Sequence, residues 1–466
     1  MAHDAGLRFR FEADAGEFEV VRFELKEGVS QPFRLELALS SLDDAIQATS
    51  LLDREVRFTI ERNGLAEREV VGIVTAFEQG GTGFRRTRYR AMVESPLARL
   101  TLRHGSRIFQ QVNATEVLAT VLKDGGVPGV RTAYFAPHEP REYCVQYRET
   151  DASFFDRLAI EDGIVYWHEV EAGRAALVLS DKIGHAPVLS GHAPVLYQAA
   201  LTADGSGQCL SRFAYRRQLA PTRVTQREYA FHEPRYPLQH EAKAWAVEDA
   251  VGNYEHYDHA ARYKADAAGQ SFARNRLSGL RNAADMAIVA GDDARLFPGL
   301  SFDLTGHPSE FLNDHWRVVW MHHQGEQGSS HGAGGAGNRT RYGYEASVVP
   351  AHYDWKPQPA SRPVVDGPQI AHVVGPDGEE THCDVHGRVQ VRFPWDRQES
   401  QEGASCWVPV WQGWAGVMHG FQALPRIGQQ VIVSFLEGDP DQPIVTGCPC
   451  DARQRLHELN QEKAAT

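Results

Sequence analysis

Apolar and polar positions alternate with a period of two along residues 7–95. Leu35, Leu37 and Leu39 alternate with Arg34, Glu36 and Ala38, and Val56, Phe58 and Ile60 alternate with Glu55, Arg57 and Thr59. That period fits strands with one buried face. Asn63-Gly64 follows the second run and predicts a tight hairpin turn. Gly80-Gly81-Thr82-Gly83 predicts another turn, between a strand around Val74 and one around Tyr89.

The period then changes. Asn113 with Glu116 three residues on has the form of a capping box. Val117, Leu118, Val121 and Leu122 form a helical stripe that stops at Gly125-Gly126. A second short helix is predicted from Asp151, with Phe154, Phe155, Leu158 and Ala159 as its apolar face and Gly163 at its end. Ile164 to Trp167 reads as a strand. A longer helix is expected from about Asp258 to Gly279, carrying Tyr263, Ala267 and Leu277, although Gly269 weakens it. Strands resume around Phe302, Val318 and Ala346. Residues 328–337 (GSSHGAGGAG) read as a hairpin loop, and the Pro-rich run from Trp355 to Pro368 as a semi-rigid linker.

An internal echo links the two strand-rich regions. Arg86-Thr87-Arg88-Tyr89 lies in a strand that ends at Pro96, and Arg339-Thr340-Arg341-Tyr342 in one that ends at Pro350. Each follows an apolar strand and a Gly-containing turn, GIVTAFEQGG and RVVWMHHQGEQG. Matching strand, turn and strand contexts predict two similar barrels in one chain.

The last hundred residues are dense in short strands. Val389, Val391 and Phe393 share one face. Trp407-Val408-Pro409-Val410-Trp411 and Val431-Ile432-Val433-Ser434-Phe435-Leu436 are apolar on both faces. A small barrel buries only its inner face, so a second apolar face implies cover from another subunit or domain. About five short strands here predict an OB-like barrel. Trp407, Val408, Val410, Trp411, Val431, Val433 and Phe435 are the candidates for barrel core or subunit packing.

Composition narrows the chemistry. The 466 residues suffice for about three domains. A net charge of -13 disfavours nucleic acid as a partner, and the tryptophans of the C-terminal barrel are better explained as subunit packing. Residues 1–16 lack the basic start and apolar core of a signal peptide, and no apolar run approaches the roughly 20 residues that span a bilayer. No GxSxG, HExxH or SxxK-type match stands in a context worth defending, so no enzyme is expected. His382, Cys383 and His386 lie near the start of the C-terminal barrel, with Cys448 and Cys450 at its end. Their spacing fits no common zinc signature, so neither metal nor cofactor is expected. His322-His323 would point to opposite faces of a strand and form a poor chelate.

Three motifs in order, HGRVQVRFPWDR, SCWVPVWQGWAG and LPRIGQQVIVSFLEGDPDQPIVTG, resemble the VgrG family, the tip proteins of type VI secretion systems. SPLARLTLRHGSRIFQ and REYCVQYRETDASFFDRLAIEDGIVYWHEVE resemble that family's hub, so the likeness covers nearly the whole chain. It implies a mainly β fold with some α: two similar β-barrels with helical insertions in the hub, then a small OB-fold barrel. It also implies a homotrimer that caps a hexameric Hcp tube. Through a β-helical needle, which is expected to lie beyond this chain, the trimer would carry a PAAR protein and effectors, with loading chaperones. The expected location is the bacterial cytoplasm before firing and the target cell afterwards. Two rival readings are an effector enzyme or its carrier, and a phage baseplate hub. The expected organisation is a first hub barrel (1–100), a helix-containing hub region (101–235), a second hub barrel with the long helix (236–355), a linker (356–369), an OB domain (370–450) and a tail at the start of the needle (451–466).

Overall fold

The computed structural model describes residues 2–3, 6–83, 85–189, 194–199, 208–244, 252–328, 340–397, 405–416 and 419–449. The Gly-rich run from 329, Cys450 and the tail from 451 lie outside them. The chain forms two compact units: residues 1–102, 119–137 and 158–360 make the first, and residues 103–118, 138–157 and 361–466 the second.

The first unit contains two closed six-stranded rings. One comprises β1 (Leu7–Ala13), β2 (Gly16–Gly28), β3 (Gln31–Ser41), β4 (Glu55–Arg62), β5 (Leu65–Thr82) and β6 (Thr87–Glu94). Their ring order is β2-β1-β4-β5-β6-β3, closed by pairing of β3 with β2. The predicted alternation is realised, since Leu35, Leu37, Leu39, Val56, Phe58 and Ile60 are all buried. Asn63 and Gly64 both take positive φ, 53° and 80°, and close the β4–β5 hairpin. β5, however, runs straight through Gly80 and Gly81 to Thr82. The expected turn there falls later, where the Gly83 amide donates to the Arg86 carbonyl. An irregularity between Gln79 and Thr82 absorbs the extra residue and keeps the ladder going.

Two strands, β7 (His104–Val112) and β8 (Arg141–Thr150), belong to the second unit. Between and after them come α1 (Ala114–Asp124) and α2 (Asp151–Glu161). The capping box forms in both directions. The Glu116 amide donates to Asn113 Oδ1 at 2.9 Å, and the Asn113 amide donates to Glu116 Oε2 at 3.2 Å. Val117, Leu118, Val121 and Leu122 are buried, as are Phe154, Phe155, Leu158 and Ala159.

The second ring of the first unit comprises β9 (Val195–Tyr197), β10 (Cys209–Arg217), β11 (Asp285–Gly291), β12 (Ser301–Thr305), β13 (His315–Glu326) and β14 (Arg341–Pro350). Its order is β10-β9-β12-β13-β14-β11, closed by pairing of β11 with β10 through the same positions as the first ring. With the strands of each ring numbered one to six along the chain, both rings read two-one-four-five-six-three. The echo therefore reflects a duplicated barrel. The copies differ in one direction: β9 is parallel to both neighbours, whereas β1 is antiparallel to both of its own. They also differ in one connection. Val29-Ser30 joins β2 to β3, whereas residues 218–284 join β10 to β11.

That long connection holds a three-stranded sheet (Leu238–Lys243, Arg223–Glu228, Glu255–His259) covered by α3 (Asp266–Leu280). Val224, Ala242, Ala273 and Leu277 form its core. The helix was expected from Asp258, but Asp258 lies in the third strand, parallel to Gln226. Tyr263 precedes the helix; its hydroxyl donates to the Gln226 and Leu238 carbonyls at 2.9 and 3.1 Å. Apolar spacing alone could not separate this anchored aromatic from the helical stripe. Gly269 is required by close approach, since a Cβ there would collide with the His240 ring.

The second ring takes strands from Val195 onward, whereas residue 236 was the expected start. The segment from 356 is not a bare spacer. Lys356 is buried and donates to the Gly163 and Asp181 carbonyls at 2.7 and 2.6 Å within the first unit. The Val365 amide donates to the Gly438 carbonyl within the second.

In the second unit, β15 (Gln369–Val374), β16 (Gln390–Arg392), β17 (Gln430–Phe435) and β18 (Pro443–Gly447) form a sheet in the order β16-β15-β17-β18. Two bridges close it into a five-membered ring: Val389 with Val408, antiparallel, and Val410 with Val445, parallel. This is the small barrel expected from the sequence. The β7–β8 pair, expected in the hub, shares its core. Ile108, Tyr143 and Val145 pack with Val373, Val391 and Val433.

Asn113→Ala is expected to cost about 1 kcal/mol of stability in urea unfolding, because it removes the cap at α1. Asn113→Asp is expected to retain it.

Candidate functional site

The two rings meet along a seven-residue antiparallel ladder that pairs β2 with β13, from Arg22↔Glu326 to Gly28↔Trp320. Glu27 lies on the inner face at that seam and is only 4% exposed. Arg68 of β5 donates to its Oε2 at 2.7 Å. His323 of β13 is fully buried and meets Glu27 Oε1 through Nε2 at 3.0 Å and the Tyr342 hydroxyl through Nδ1 at 2.8 Å. The first barrel supplies the carboxylate and guanidinium, and the second supplies the imidazole and phenol. Four side chains from four strands thereby tie one barrel to the other.

Burial alone would raise the Glu27 pKa. Arg68 and the His323 hydrogen bond outweigh burial and hold it at about 2. Burial depresses His323 against the opposing pull of Glu27. Burial likewise lowers His168, to about 4; its ring meets the Ser95 hydroxyl at 2.8 Å. His322 points the other way and meets Glu24 at 2.8 Å, so the pair divides across the strand as expected.

The second unit carries comparable polar clamps. Asp151 accepts from Arg103 at 2.7 Å, Arg107 at 3.1 Å and Gln146 at 2.8 Å. Arg157 is buried and grips Glu149 and the Val145 carbonyl, each at 2.7 Å. The Val145 amide donates to Asp441 at 2.7 Å, fastening β8 to the barrel. Sequence reasoning missed all of these, because abundant Arg and Glu give no local signal of who pairs with whom.

The sequence-selected packing residues separate into two sets. Val408, Val431 and Val433 are fully buried in the small barrel, with Val410 and Phe435 packed at its margin. Trp407 is half-buried against the His382 ring. Trp411 is 62% exposed. Trp414 and Phe421 oppose each other on a short ribbon and are 68% and 66% exposed. An outward apolar face on a small barrel is what the sequence pattern implied.

His382 pairs with Glu379 at 3.1 Å, while Cys383, His386 and Cys448 are exposed. Cys450 is outside the described residues. Among the described residues, no three His, Cys, Asp or Glu side chains are grouped as metal ligands would be. No described helix is long and apolar enough to cross a membrane.

Comparison with known families accounts for both units. The phage tail baseplate hub (GPD) family matches residues 26–329. The type VI secretion system/phage-baseplate injector OB domain matches residues 379–449. The molecule is thus a phage-tail-type baseplate hub followed by an injector OB domain. Its sequence is 44% identical over 446 residues to the type VI secretion system spike protein VgrG2a of Pseudomonas aeruginosa, covering 95% of this chain and 53% of that protein. It is 39% identical over 456 residues to VgrG3 of Vibrio cholerae, covering 95% and 45%. The chain belongs to the VgrG family of type VI secretion system spike proteins. It spans about half the length of these relatives. The same fold occurs in the E. coli protein c3393, a type VI secretion component described as similar to the T4 tail proteins gp27 and gp5. That match has a TM-score of 0.66 at 20% identity, covering 95% of this chain and all of that one.

Two outcomes test the seam. Removing the carboxylate leaves Arg68 buried and unpaired, so Glu27→Gln is expected to cost about 3–5 kcal/mol in denaturant unfolding. Glu27→Leu with Arg68→Met is expected to cost less than Glu27→Gln alone. The histidines set a pH dependence. A histidine whose pKa is lowered by folding binds fewer protons folded than unfolded, so its contribution is complete above about pH 6.5 and is lost as pH falls toward the folded value. For His168 that window runs from about 6.5 down to about 4. Unfolding free energy is therefore expected to fall between pH 7 and pH 5. His323→Gln is expected to flatten that slope by up to about 1.4 kcal/mol per pH unit.

Proposed function

We propose that this chain is the hub and needle-base portion of a type VI secretion spike, and that it works as a homotrimer. The observation that carries this reading is the duplicated barrel. Three chains with two equivalent barrels each supply six similar units, so a three-fold particle can present a six-fold-like face to a hexameric Hcp ring. The OB unit would sit at the base of the needle, through which a PAAR protein and effectors would be carried, with chaperones loading them.

The role is mechanical. Contraction powered elsewhere drives tube and tip forward; the chain contributes rigidity, symmetry matching and cargo display. The buried clamps support rigidity, since each replaces a deformable apolar contact with directional bonds. The outward Trp411, Trp414 and Phe421 support subunit packing around the needle base. Catalysis by these residues is not part of the reading. The protein would reside in the bacterial cytoplasm before firing and pass into the target cell with the tip. A phage baseplate hub would use the same hub fold, and genomic neighbours would distinguish the two.

The test is mass in solution. Light scattering at micromolar concentration is expected to give three times the 51.9 kDa chain mass. A stable monomer would overturn the reading. Trp411→Asp is expected to weaken association by about tenfold or more, because it places a charge on a desolvated contact.

A further inference from the structure

The duplication fixes more than the number of barrels, because β-bulges set its register. β2 leaves step with β3 between Val20 and Arg22, opposite Leu39 and Ala38. β10 leaves step with β11 between Leu210 and Arg212, opposite Gly291 and Ala290. β5 leaves step with β6 between Val74 and Ala76, opposite Val93 and Met92. β13 leaves step with β14 between Val318 and Trp320, opposite Val348 and Ser347. Val20 thus corresponds to Leu210, and Val74 to Val318. The β3–β6 and β11–β14 ladders agree independently, since Leu39 pairs with Tyr89 and Gly291 pairs with Tyr344. The structural equivalent of Tyr89 is therefore Tyr344, two residues beyond the position that the sequence echo suggested.

In this register the inter-barrel ladder joins the second strand of the first barrel to the fifth strand of the second. The reciprocal pair is the second strand of the second barrel, β10, and the fifth strand of the first, β5. Among the described residues no strand pairs with the outer edge of β10 from Arg212 to Arg216, nor with that of β5 from Thr75 to Thr82. These are the segments equivalent to the two that already pair within the chain.

We propose that β5 of one copy of this chain pairs antiparallel with β10 of the next, through residues 76–82 and 213–218. This rests on the trimeric reading above and names its contact. Transferring the intrachain register places Ala76 opposite the partner's Gln218 and Glu78 opposite the partner's Arg216; the irregularity between Gln79 and Thr82 then shifts the register by one residue, so that Thr82 faces the partner's Phe213. The edges agree in charge, since Glu78 is an acidic position on β5 and Arg216 a basic one on β10. A ladder edge left open in each chain and filled by the next is a heterologous contact, which gives a ring of fixed copy number when its rotation closes.

Paired cysteines test this register. Directly opposed residues of an antiparallel pair have Cβ atoms about 4.5–5.5 Å apart, near disulfide reach. Oxidation of the full chain carrying Glu78→Cys and Arg216→Cys is expected to give a covalent species of three chains on non-reducing gels, and neither single variant should give it. Ala76→Cys with Gln218→Cys, both at exposed positions, is expected to do the same. The off-register pair Glu78→Cys with Ala214→Cys is expected to cross-link at least tenfold more slowly. A trimer by light scattering in which neither in-register pair cross-links would overturn this contact and leave the trimer standing. A monomer would overturn both. Equal cross-linking by the off-register pair would overturn the register.

Discussion

The β2–β13 ladder is the constraint on which the hub depends. Each barrel closes on itself and could in principle turn freely against the other. Seven paired residues and one buried carboxylate prevent that. Glu27 carries its charge out of water, which is tolerable only because Arg68, His323 and, through His323, Tyr342 complete its hydrogen bonding. The partners come from both barrels, so the charge is satisfied only in one relative orientation. A purely apolar seam would bind as strongly but specify the orientation less sharply, because apolar contacts are not directional.

The same logic recurs in the second unit at a smaller scale. Asp151 gathers two arginines and a glutamine, Arg157 spans Glu149 and a backbone carbonyl, and Asp441 takes the Val145 amide. The OB barrel alone offers a modest core of mostly valines. Adding Ile108, Tyr143 and Val145 from β7 and β8 enlarges it. Such joints are directional, so they resist shear where packed methyl groups slide.

What could be read from the sequence follows from how local each signal is. The Asn63-Gly64 turn, the Asn113–Glu116 box and the alternation of Val389, Val391 and Phe393 all act within a few residues, and each matches the structure. The echo disclosed the duplication, but with a register two residues off, because four similar letters carry less information than four bulges. The second barrel was expected from residue 236. Its first strand, Val195–Tyr197, is three residues long, and its second is separated from its third by a whole inserted module; no local pattern marks either as part of a ring. Asp258 and Tyr263 were assigned to a helix because apolar spacing cannot show that a tyrosine hydroxyl reaches two carbonyls of a neighbouring sheet. Glu27 and Arg68 were invisible for a related reason. A buried ion pair between residues 41 positions apart is written in topology and leaves no mark in composition.

The duplicated hub barrel carries the proposal that three chains imitate a ring of six. End-on electron-microscopy averages of the purified particle test that claim most directly. A three-fold particle is expected, with six barrel densities in its hub at nearly equal radius and spacing. A particle with any other copy number, or a three-fold hub whose six densities fall at two clearly different radii, would contradict it.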